Sequence, residues 1–260
     1  MTNNQAFNFL SKYGDSKDVK IILDYYASNG ARGHNVFGVL RLAWRLKRNV
    51  PVAKIIGRKW FYGLKFHTDR HTMDPRPDSE TLVGAVLGDG DAKAPARILD
   101  LGTGTGCLLC AILTNMPNAS GMGIDDSRGA RRVARKNIEA LGLKTRAEIR
   151  NCSFKNCGRL ISDSDIIVAN PPYIPLGDRR VNPGAKHDPK AALYGGRDGR
   201  KYYRQIAKAA ADQKSPGTKL YLEIGAGQER AVRIIFEGAG WAFAARHKDL
   251  SGRVRVLVFA

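Results

Sequence analysis

The sequence predicts an α/β fold in which helices cover both faces of a mostly parallel sheet. Three observations lead to this prediction. From Ser79 onward, short apolar runs alternate with segments of helical periodicity, the pattern of a parallel sheet joined by helices. Glycines or polar residues follow several of the apolar runs, at strand ends where such sheets bind ligands. Residues 1–50 carry apolar residues at helical spacing instead, which indicates a separate helical segment.

The first part of the chain divides into a helical domain and a linker. We expect a helical domain over residues 1–52, with helices at 18–26 and 36–46. Residues 53–78 are predicted to form a β-hairpin linker that turns near Gly63. The hairpin interleaves aromatic and basic residues over 60–66, which suits packing against the main domain or stacking on nucleobases.

The remaining residues, 79–260, are predicted to form one catalytic domain with seven strands. Its helices are expected at 80–87, 107–113, 129–141, 199–212 and 228–237. Its strands are expected at 98–101, 119–125, 147–150, 166–169, 219–224, near 243 and at 254–259.

The most informative motif is Asn170-Pro171-Pro172-Tyr173, directly after the apolar run at 165–169. Prolines lack an N–H, so this backbone accepts hydrogen bonds but hardly donates them. The Asn170 side-chain oxygen and the Pro171 carbonyl can each accept one N–H of a planar –NH2 group, while Tyr173 covers its flat face. The motif therefore points to chemistry on an amide or aromatic amine nitrogen.

A glycine loop follows the strand at 98–101. Its residues are Gly102, Thr103, Gly104, Thr105 and Gly106. Glycines let a backbone approach a ligand that a Cβ would block. The spacing differs from that of phosphate-binding and dinucleotide-binding loops. Two interpretations remain open here, a nucleotide-type binding loop and a tight strand–helix turn.

Acidic residues near this loop suggest what it binds. Asp125 ends the next strand, about 20 residues beyond the glycines, where an acid can accept hydrogen bonds from ribose hydroxyls. The adjacent Asp126 is the competing candidate. Asp100, just before the loop, is placed to pair with an ammonium group, which a methionine-type ligand carries and a nicotinamide cofactor does not.

In this order, the loop, the strand-end acid and Asn-Pro-Pro-Tyr resemble class I S-adenosylmethionine-dependent methyltransferases that act on amino nitrogens. Five further segments resemble the bacterial release factor glutamine methyltransferases, over roughly residues 50–260. They are residues 74–80, 170–175, 188–199, 222–225 with Gln228, and 249–253.

The resemblance implies an enzyme that methylates the side-chain amide nitrogen of the Gln in the Gly-Gly-Gln loop of peptide chain release factors. It implies S-adenosyl-L-methionine as cofactor and a Rossmann-like seven-stranded sheet. Asn170 and the three residues after it would form the catalytic corner, and residues 100–106 with Asp125 would hold the cofactor. The family often places an acid and an aromatic after the third strand, whereas this chain offers Ser153 and Phe154 for the adenine.

The resemblance also leaves positions open. The family's N-terminal helical domain is thought to hold the release factor, and the segment here is shorter. The family commonly has Gln-Tyr where this chain has Ala53-Lys54. Arg76 either borders the substrate channel or caps the helix that follows it.

Composition limits the partners and the compartment. The formal charge of +19 suits a negatively charged partner such as a ribosome, or reflects a general abundance of basic residues. No apolar run of membrane-spanning length and no signal-peptide pattern occurs, so we expect a cytoplasmic protein. We also expect it to be a monomer. Cys107 and Cys110 have redox or zinc spacing but lie in an apolar helical pattern, so small buried thiols and no metal are expected.

Three alternatives to release factor methylation follow from the same residues. The first is methylation of a glutamine in a ribosomal protein, and the second is methylation of adenine N6 in nucleic acid, which shares Asn-Pro-Pro-Tyr. The third is a cofactor-binding ribosome-assembly module without catalysis, which the intact motif disfavours.

Overall fold

The computed structural model describes residues 1–29, 35–179, 181 and 183–260. In these residues, a seven-stranded sheet has the order β5-β4-β3-β6-β7-β9-β8. Strands β3 to β7 are parallel, and β9 and β8 are antiparallel additions at one edge. The mostly parallel sheet predicted from the sequence is therefore confirmed. Its strands are β3 (Arg97–Leu101), β4 (Ser120–Asp125), β5 (Ala147–Asn151), β6 (Ile166–Ala169), β7 (Lys219–Glu223), β8 (Phe243–Lys248) and β9 (Val254–Phe259).

Helices cover both faces of this sheet, as predicted. One buried apolar cluster lies under α5, α6 and α7, and a second lies under α8, α9 and α10. The central strands feed both clusters by alternation: in β6, Val168 joins the first, whereas Ile167 and Ala169 join the second. The helices are α5 (Glu80–Gly88), α6 (Cys107–Asn115), α7 (Arg128–Ala140), α8 (Gly158–Ser162), α9 (Lys201–Ala210) and α10 (Glu229–Glu237).

The described N-terminal residues form four helices with an apolar cluster of their own. The first helix begins with a capping box between Thr2 and Gln5, a signal that could have located it from the sequence. The second and third helices match the predicted ones with slightly wider bounds. The four are α1 (Asn3–Leu10), α2 (Ser16–Ser28), α3 (Val36–Lys47) and α4 (Val52–Ile56).

The predicted hairpin pairs β1 (Arg58–Phe61) with β2 (Leu64–His67) and turns at Gly63. Phe61 and Phe66 are buried in the same cluster as α5 and α6, so the hairpin packs against the main domain. Trp60 is exposed on the other side of the hairpin. No helix in the described ranges has the length and apolar character to cross a membrane.

Candidate active site

A cleft opens where the parallel strands end. Residues from the ends of β3, β4, β5 and β6 line it, because the carboxyl ends of parallel strands meet at one edge of the sheet. Among the predicted site residues, those that line the cleft are Gly102, Thr103, Gly104, Thr105, Asp125, Ser153, Phe154, Asn170 and Pro172.

The glycine loop has the backbone conformation that requires glycine. Gly102, Gly104 and Gly106 all have positive φ angles, between 56° and 78°. A Cβ on Gly102 would lie 2.8 Å from the Phe154 ring. The amides of Gly102 and Thr103 both donate to the Ile124 carbonyl at 2.9 Å, which fixes the loop against β4. The loop thus leaves a floor of bare backbone beneath the cleft.

Asp100 lies buried beside this loop, with 1% of its surface exposed. Its Oδ2 accepts a hydrogen bond from the Thr103 hydroxyl at 2.6 Å. Its Oδ1 is buried and has no hydrogen-bond partner among the described residues. Burial raises the pKa of Asp100 to about 7, although the Thr103 hydroxyl opposes the shift. A buried carboxylate oxygen without a donor fits a ligand that brings a cationic N–H group.

Asp125 and Asp126 both border the cleft, and the carboxylate of Asp125 is the one that backbone amides hold in place. Asp125 Oδ2 accepts from the Gly104 amide at 3.0 Å, and Oδ1 accepts from the Ser127 amide at 2.9 Å. Burial raises the pKa of Asp125, and these two amides oppose the rise. Asp126 is exposed. The carboxylate of Asp125 is therefore held at the strand end, with lone pairs left for ligand hydroxyls.

Phe154 and Ser153 lie on the wall next to Asp125. The Phe154 ring meets Tyr202 edge-on, with 5.3 Å between the ring centroids. Tyr202, from α9, also lines the cleft and was missed in the sequence. Because α9 follows the sheet strands by a long connection, nothing local in the sequence indicated this contact. An aromatic ring at this wall supplies a flat apolar face of the kind that nucleobases stack on.

The Asn170–Tyr173 corner is held by three side chains. The Asn170 amide Nδ2 donates to the Ser79 hydroxyl at 3.0 Å. The Tyr173 hydroxyl donates to Glu223 Oε1 at 3.3 Å, and the Tyr173 carbonyl accepts from Gln228 Nε2 at 3.0 Å. Pro171 is buried, and Asn170 and Pro172 border the cleft. No described residue donates a hydrogen bond to the Asn170 Oδ1, so this oxygen can accept from a ligand, while the described hydrogen bonds of Tyr173 lie with Glu223 and Gln228.

Two glycines explain how the segment 188–199 packs closely against the Asn170–Tyr173 corner. A Cβ on Gly195 would lie 2.4 Å from the Pro172 carbonyl oxygen, and one on Gly199 would lie 2.2 Å from that of Tyr173. Backbone hydrogen bonds join Ile174 to residues 193 and 195, which seats this segment along the corner. The helix predicted from 199 therefore begins at Lys201, because Gly199 has a φ of 72° and packs on the corner instead.

Glu223 is a functional candidate that sequence reasoning did not single out. It ends β7, has 1% of its surface exposed, and lies among the hydroxyls of Ser79 and Tyr173. Burial raises its pKa to about 7, and the Arg255 charge and the hydrogen bond from the Tyr173 hydroxyl oppose the rise. Its position at a strand end was the available signal.

Lys54 joins the linker to two loops of the cleft wall. Its ammonium is 2.8 Å from Asp74 Oδ1 and 3.0 Å from Asp188 Oδ1, and its side chain is 5% exposed. It also donates to the carbonyls of Asp69 and Thr72. Asp188 pairs in turn with Arg76, whose Nη2 lies 2.5 Å from Oδ2. Arg76 therefore borders the cleft and is fixed there.

Arg255 connects the C-terminal hairpin to the same corner. Its Nη2 lies 2.9 Å from Asp78 Oδ2 and 3.0 Å from Asp249 Oδ2. Asp249 Oδ1 also accepts from the amides of Ser251 and Arg253, which closes the turn between β8 and β9. The segment 249–253 thus supports Asp78, the residue next to Ser79.

The cysteines show no sign of metal binding. All four are free thiols, and burial raises the pKa of Cys107 to about 12. Among the described residues, no group of three or more His, Cys, Asp or Glu side chains could hold a metal ion.

Comparison with known proteins agrees with this architecture. A family model described as the methyltransferase small domain matches residues 80–182. A ribosomal protein methylase from Lactobacillus delbrueckii subsp. bulgaricus shares the fold, with a TM-score of 0.50 at 16% identity over 71% of this chain and 79% of that chain. A tRNA methyltransferase from B. subtilis also has a TM-score of 0.50, at 13% identity over 72% of this chain and 66% of that one. The fold and the cleft thus define a class I methyltransferase.

Curated relatives narrow the class. The release factor glutamine methyltransferase of Cereibacter sphaeroides is 40% identical over 83% of this chain and 76% of its own length. That of Rhodospirillum rubrum is 41% identical over 82% of this chain and 66% of its own length. That of Agrobacterium fabrum is 40% identical over 84% of this chain and 78% of its own length. The chain belongs to the release factor glutamine methyltransferase family, and it spans 66–78% of the length of these relatives.

Proposed function

We propose that the protein transfers a methyl group from S-adenosyl-L-methionine to the side-chain amide nitrogen of the Gln in the Gly-Gly-Gln loop of release factors. One observation carries the proposal. Asn170 borders the same cleft as the glycine loop, and the buried acid Asp100 accepts a hydrogen bond from Thr103 of that loop. A hydrogen-bond acceptor for an amide N–H and a buried acid suited to a cationic donor therefore lie beside one cleft.

The residues present fit the methyl donor. Asp100 Oδ1 is a buried acceptor without a partner among the described residues, which suits the ammonium of the methionine part. Residues 102–106 would lie along that part, and Asp125 would accept from the ribose hydroxyls. Phe154 would stack on the adenine, with Ser153 at its edge. When bound, this donor supplies an electrophilic methyl group on a positively charged sulfur.

The chain's own contribution at the substrate nitrogen is positioning. An amide nitrogen is a poor nucleophile, because its lone pair is delocalised into the carbonyl. Asn170 Oδ1 and the Pro171 carbonyl would each accept one amide N–H, which holds the nitrogen in place. Pro172 and Tyr173 would complete the wall around the amide plane. Orientation of bound reactants contributes up to about 7–11 kcal/mol to a barrier. No general base is required, since the proton can leave to water once the nitrogen is methylated.

The proposal is tested by mass spectrometry of methylated targets. The purified protein is incubated with labelled donor and, in separate reactions, with release factors, ribosomal subunits, or DNA and RNA. A gain of about 14 Da, one CH2, on the Gly-Gly-Gln peptide alone supports the proposal. Label on a glutamine of a ribosomal protein would favour the first alternative, methylation of a ribosomal protein, which the charge of +19 suits. Label on adenine would favour the second alternative, methylation of nucleic acid.

The protonation of Asp100 gives a prediction for donor binding. Only the ionised carboxylate pairs with an ammonium, and in the free protein the pKa is about 7. We expect calorimetry to show about tenfold weaker donor binding at pH 6 than at pH 8. Asp100→Asn should bind more weakly at pH 8 and change less than twofold between the two pH values. An unchanged wild-type affinity across this range would contradict the assignment.

The raised pKa of Asp100 also affects the stability of the donor-free protein, which falls as the pH rises, whereas donor binding becomes stronger. A carboxyl group whose folded pKa lies above its ordinary value of 3.8 favours the protonated folded state. Its contribution to stability is therefore lost as the pH rises from about 4 to about 7. Bound donor should cancel this loss, because its ammonium stabilises the ionised form.

We also propose that the helical segment 1–52 docks the release factor. On α3, an exposed stripe carries apolar and basic side chains at helical spacing. Phe37 is 84% exposed, Leu40 is 50% exposed and Trp44 is 57% exposed. Arg41 is exposed beside them, and the Arg48 guanidinium lies 4.6 Å from the centroid of the Trp44 ring. An exposed aromatic and arginine surface is typical of protein interfaces. We further propose that the protein acts in the cytoplasm as a monomer and contacts the ribosome transiently.

Trp44→Ala is expected to raise the KM for the release factor about fivefold or more, since interface aromatics commonly contribute above 1 kcal/mol. The kcat at saturating release factor and the donor affinity should not change. Trp60→Ala, on the exposed side of the hairpin, is the matched control. Equal KM effects for the two variants would argue against a docking role for α3.

A further inference from the structure

Arg76 is a charged side chain of the cleft wall that holds neither the methyl donor nor the target nitrogen in the proposed reaction. It borders the cleft, and 39% of its side chain is exposed. Its backbone is extended and lies between Pro75 and Pro77. Because a proline restricts the residue before it to extended backbone, the main chain at Arg76 is stiff. The side chain therefore starts from a fixed point on the wall.

Two hydrogen bonds place Arg76 near the Asn170 corner. The Ser79 amide donates to the Arg76 carbonyl at 3.0 Å. The Ser79 hydroxyl accepts from Asn170 Nδ2, also at 3.0 Å. Ser79 thus contacts both the backbone of Arg76 and the side chain that would hold the substrate nitrogen. A peptide whose glutamine amide reaches Asn170 has its neighbouring backbone close to Arg76.

The guanidinium of Arg76 has one partner among the described residues. Its Nη2 donates to Asp188 Oδ2 at 2.5 Å, and the Asp188 side chain is 1% exposed. No described residue accepts a hydrogen bond from its Nε or Nη1. A guanidinium carries five N–H donors in one plane. Pairing with a buried aspartate therefore orients this plane and leaves donors over for a ligand.

The charges around this guanidinium cancel. Lys54 and Arg76 supply two positive charges. Asp74 and Asp188 supply two negative ones, and they contact the Lys54 ammonium at 2.8 Å and 3.0 Å. A neutral group gives a phosphate little Coulomb attraction, whereas a carbonyl oxygen still gains a hydrogen bond from a charged donor. Four further residues that border the cleft have side chains without hydrogen-bonding groups, namely Pro75, Pro189, Ala191 and Ala192.

We propose that Arg76 is a substrate-binding residue that donates to a main-chain carbonyl of the peptide carrying the target glutamine. The donors are those that Asp188 does not use. Glycines beside the glutamine have no side chain to shield their carbonyls, so a guanidinium can approach them closely. The contact would favour a glycine-rich peptide over nucleic acid, whose backbone offers phosphates instead. This inference rests on the proposed function for the identity of the substrate.

The first test measures the kinetics of arginine variants with the release factor. Arg76→Ala is expected to raise the KM about tenfold or more and to change kcat less than threefold, because it removes one charge-assisted binding contact. Arg76→Lys keeps the charge but not the planar fork, and it should raise the KM about fivefold or more. Donor affinity by calorimetry should stay within twofold for both variants, which also shows that they are folded.

The matched control is Arg97→Ala. Arg97 also pairs with an aspartate, Asp165, but it begins β3, at the end of the strand away from the glycine loop. Its KM should stay within twofold of wild type. A wild-type KM for either Arg76 variant would overturn the proposal. Loss of donor affinity in Arg76→Ala would overturn it too, because it would assign the guanidinium to the donor.

The second test locates the carbonyl. Peptides that span the Gly-Gly-Gln loop carry a thioamide at one glycine at a time, which keeps the N–H and weakens the acceptor. With wild-type protein, one thioamide should raise the KM about fivefold or more. With Arg76→Ala, the same thioamide should change the KM less than twofold, because the contact is already lost. Equal effects in the two proteins for every thioamide would show that Arg76 contacts no glycine carbonyl, and the proposal would be wrong.

Failure of this inference and failure of the proposed function give different results. Wild-type protein that methylates adenine and no glutamine refutes the proposed function, and this inference falls with it. Methylation of the Gly-Gly-Gln glutamine with a wild-type KM in Arg76→Ala refutes the inference alone. Fluorescence anisotropy of a labelled Gly-Gly-Gln peptide makes the comparison without methyl transfer. Arg76→Ala should weaken peptide binding about tenfold, and Arg97→Ala should leave it unchanged.

Discussion

Replacing Asn170 by alanine is expected to lower the rate of methyl transfer by about 10²–10³, the cost of losing one preorganised hydrogen bond at a reacting group. The donor affinity should survive, because Asp100, Asp125 and the glycine loop are untouched. Single-turnover rates with labelled donor, together with calorimetry, measure the two quantities separately. A folded Asn170→Ala protein that turns over normally would refute the role given to this residue.

The matched control is Asn115→Ala. Asn115 ends α6 and, like Asn170, donates one hydrogen bond from Nδ2, here to the Ala111 carbonyl at 2.8 Å. It lies at the end of the helix away from the cleft, since α6 begins at the glycine loop. The control should turn over within twofold of wild type. If both variants slow equally, general destabilisation and not loss of an acceptor explains the result.

Strands and their ligand-binding edge could be predicted because local patterns encode them. The apolar run 166–169 and the glycines at 102, 104 and 106 each report on their own conformation, and both were found where expected. The helix at 201 shows the limit of such patterns. Its start is set by contact of Gly199 with the Tyr173 carbonyl, which lies 26 residues earlier in the chain.

The supports of the site could not be predicted for the same reason. Ser79 meets Asn170 across 91 residues of sequence, and Tyr173 meets Glu223 across 50. No local sequence pattern links the two partners of either pair. Ser79 lies just before a helix and Glu223 ends a strand, and neither position by itself indicates a distant partner. A lysine in a sequence likewise suggests a solvated surface position. Only the structure shows the buried oxygens of other residues that surround the Lys54 ammonium.

Lys54 is the clearest case of a residue whose importance only the fold reveals. Five oxygens surround its ammonium: carboxylate oxygens of Asp74 and Asp188, the Thr68 hydroxyl, and the carbonyls of Asp69 and Thr72. Burial raises the pKa of Asp188, and the charges of Lys54 and Arg76 oppose that rise. Without the lysine, two buried carboxylates would face each other with Arg76 alone to balance them.

Lys54→Met is therefore expected to lower the free energy of unfolding by about 3–5 kcal/mol, the usual cost of removing one partner of a buried ion pair. Urea denaturation measures this loss, and Lys65→Met, at an exposed position of β2, should cost less than about 0.5 kcal/mol. Adding Asp74→Asn to Lys54→Met should recover part of the stability, because it removes one uncompensated charge. A single variant within 1 kcal/mol of wild type, or a double variant less stable than the single one, would mean that water or Arg76 already balances the two acids.

The expected loss of stability has a consequence for catalysis, because Asp74, Arg76 and Pro189 border the cleft. Loosening them should raise the KM for the release factor in the fraction that stays folded.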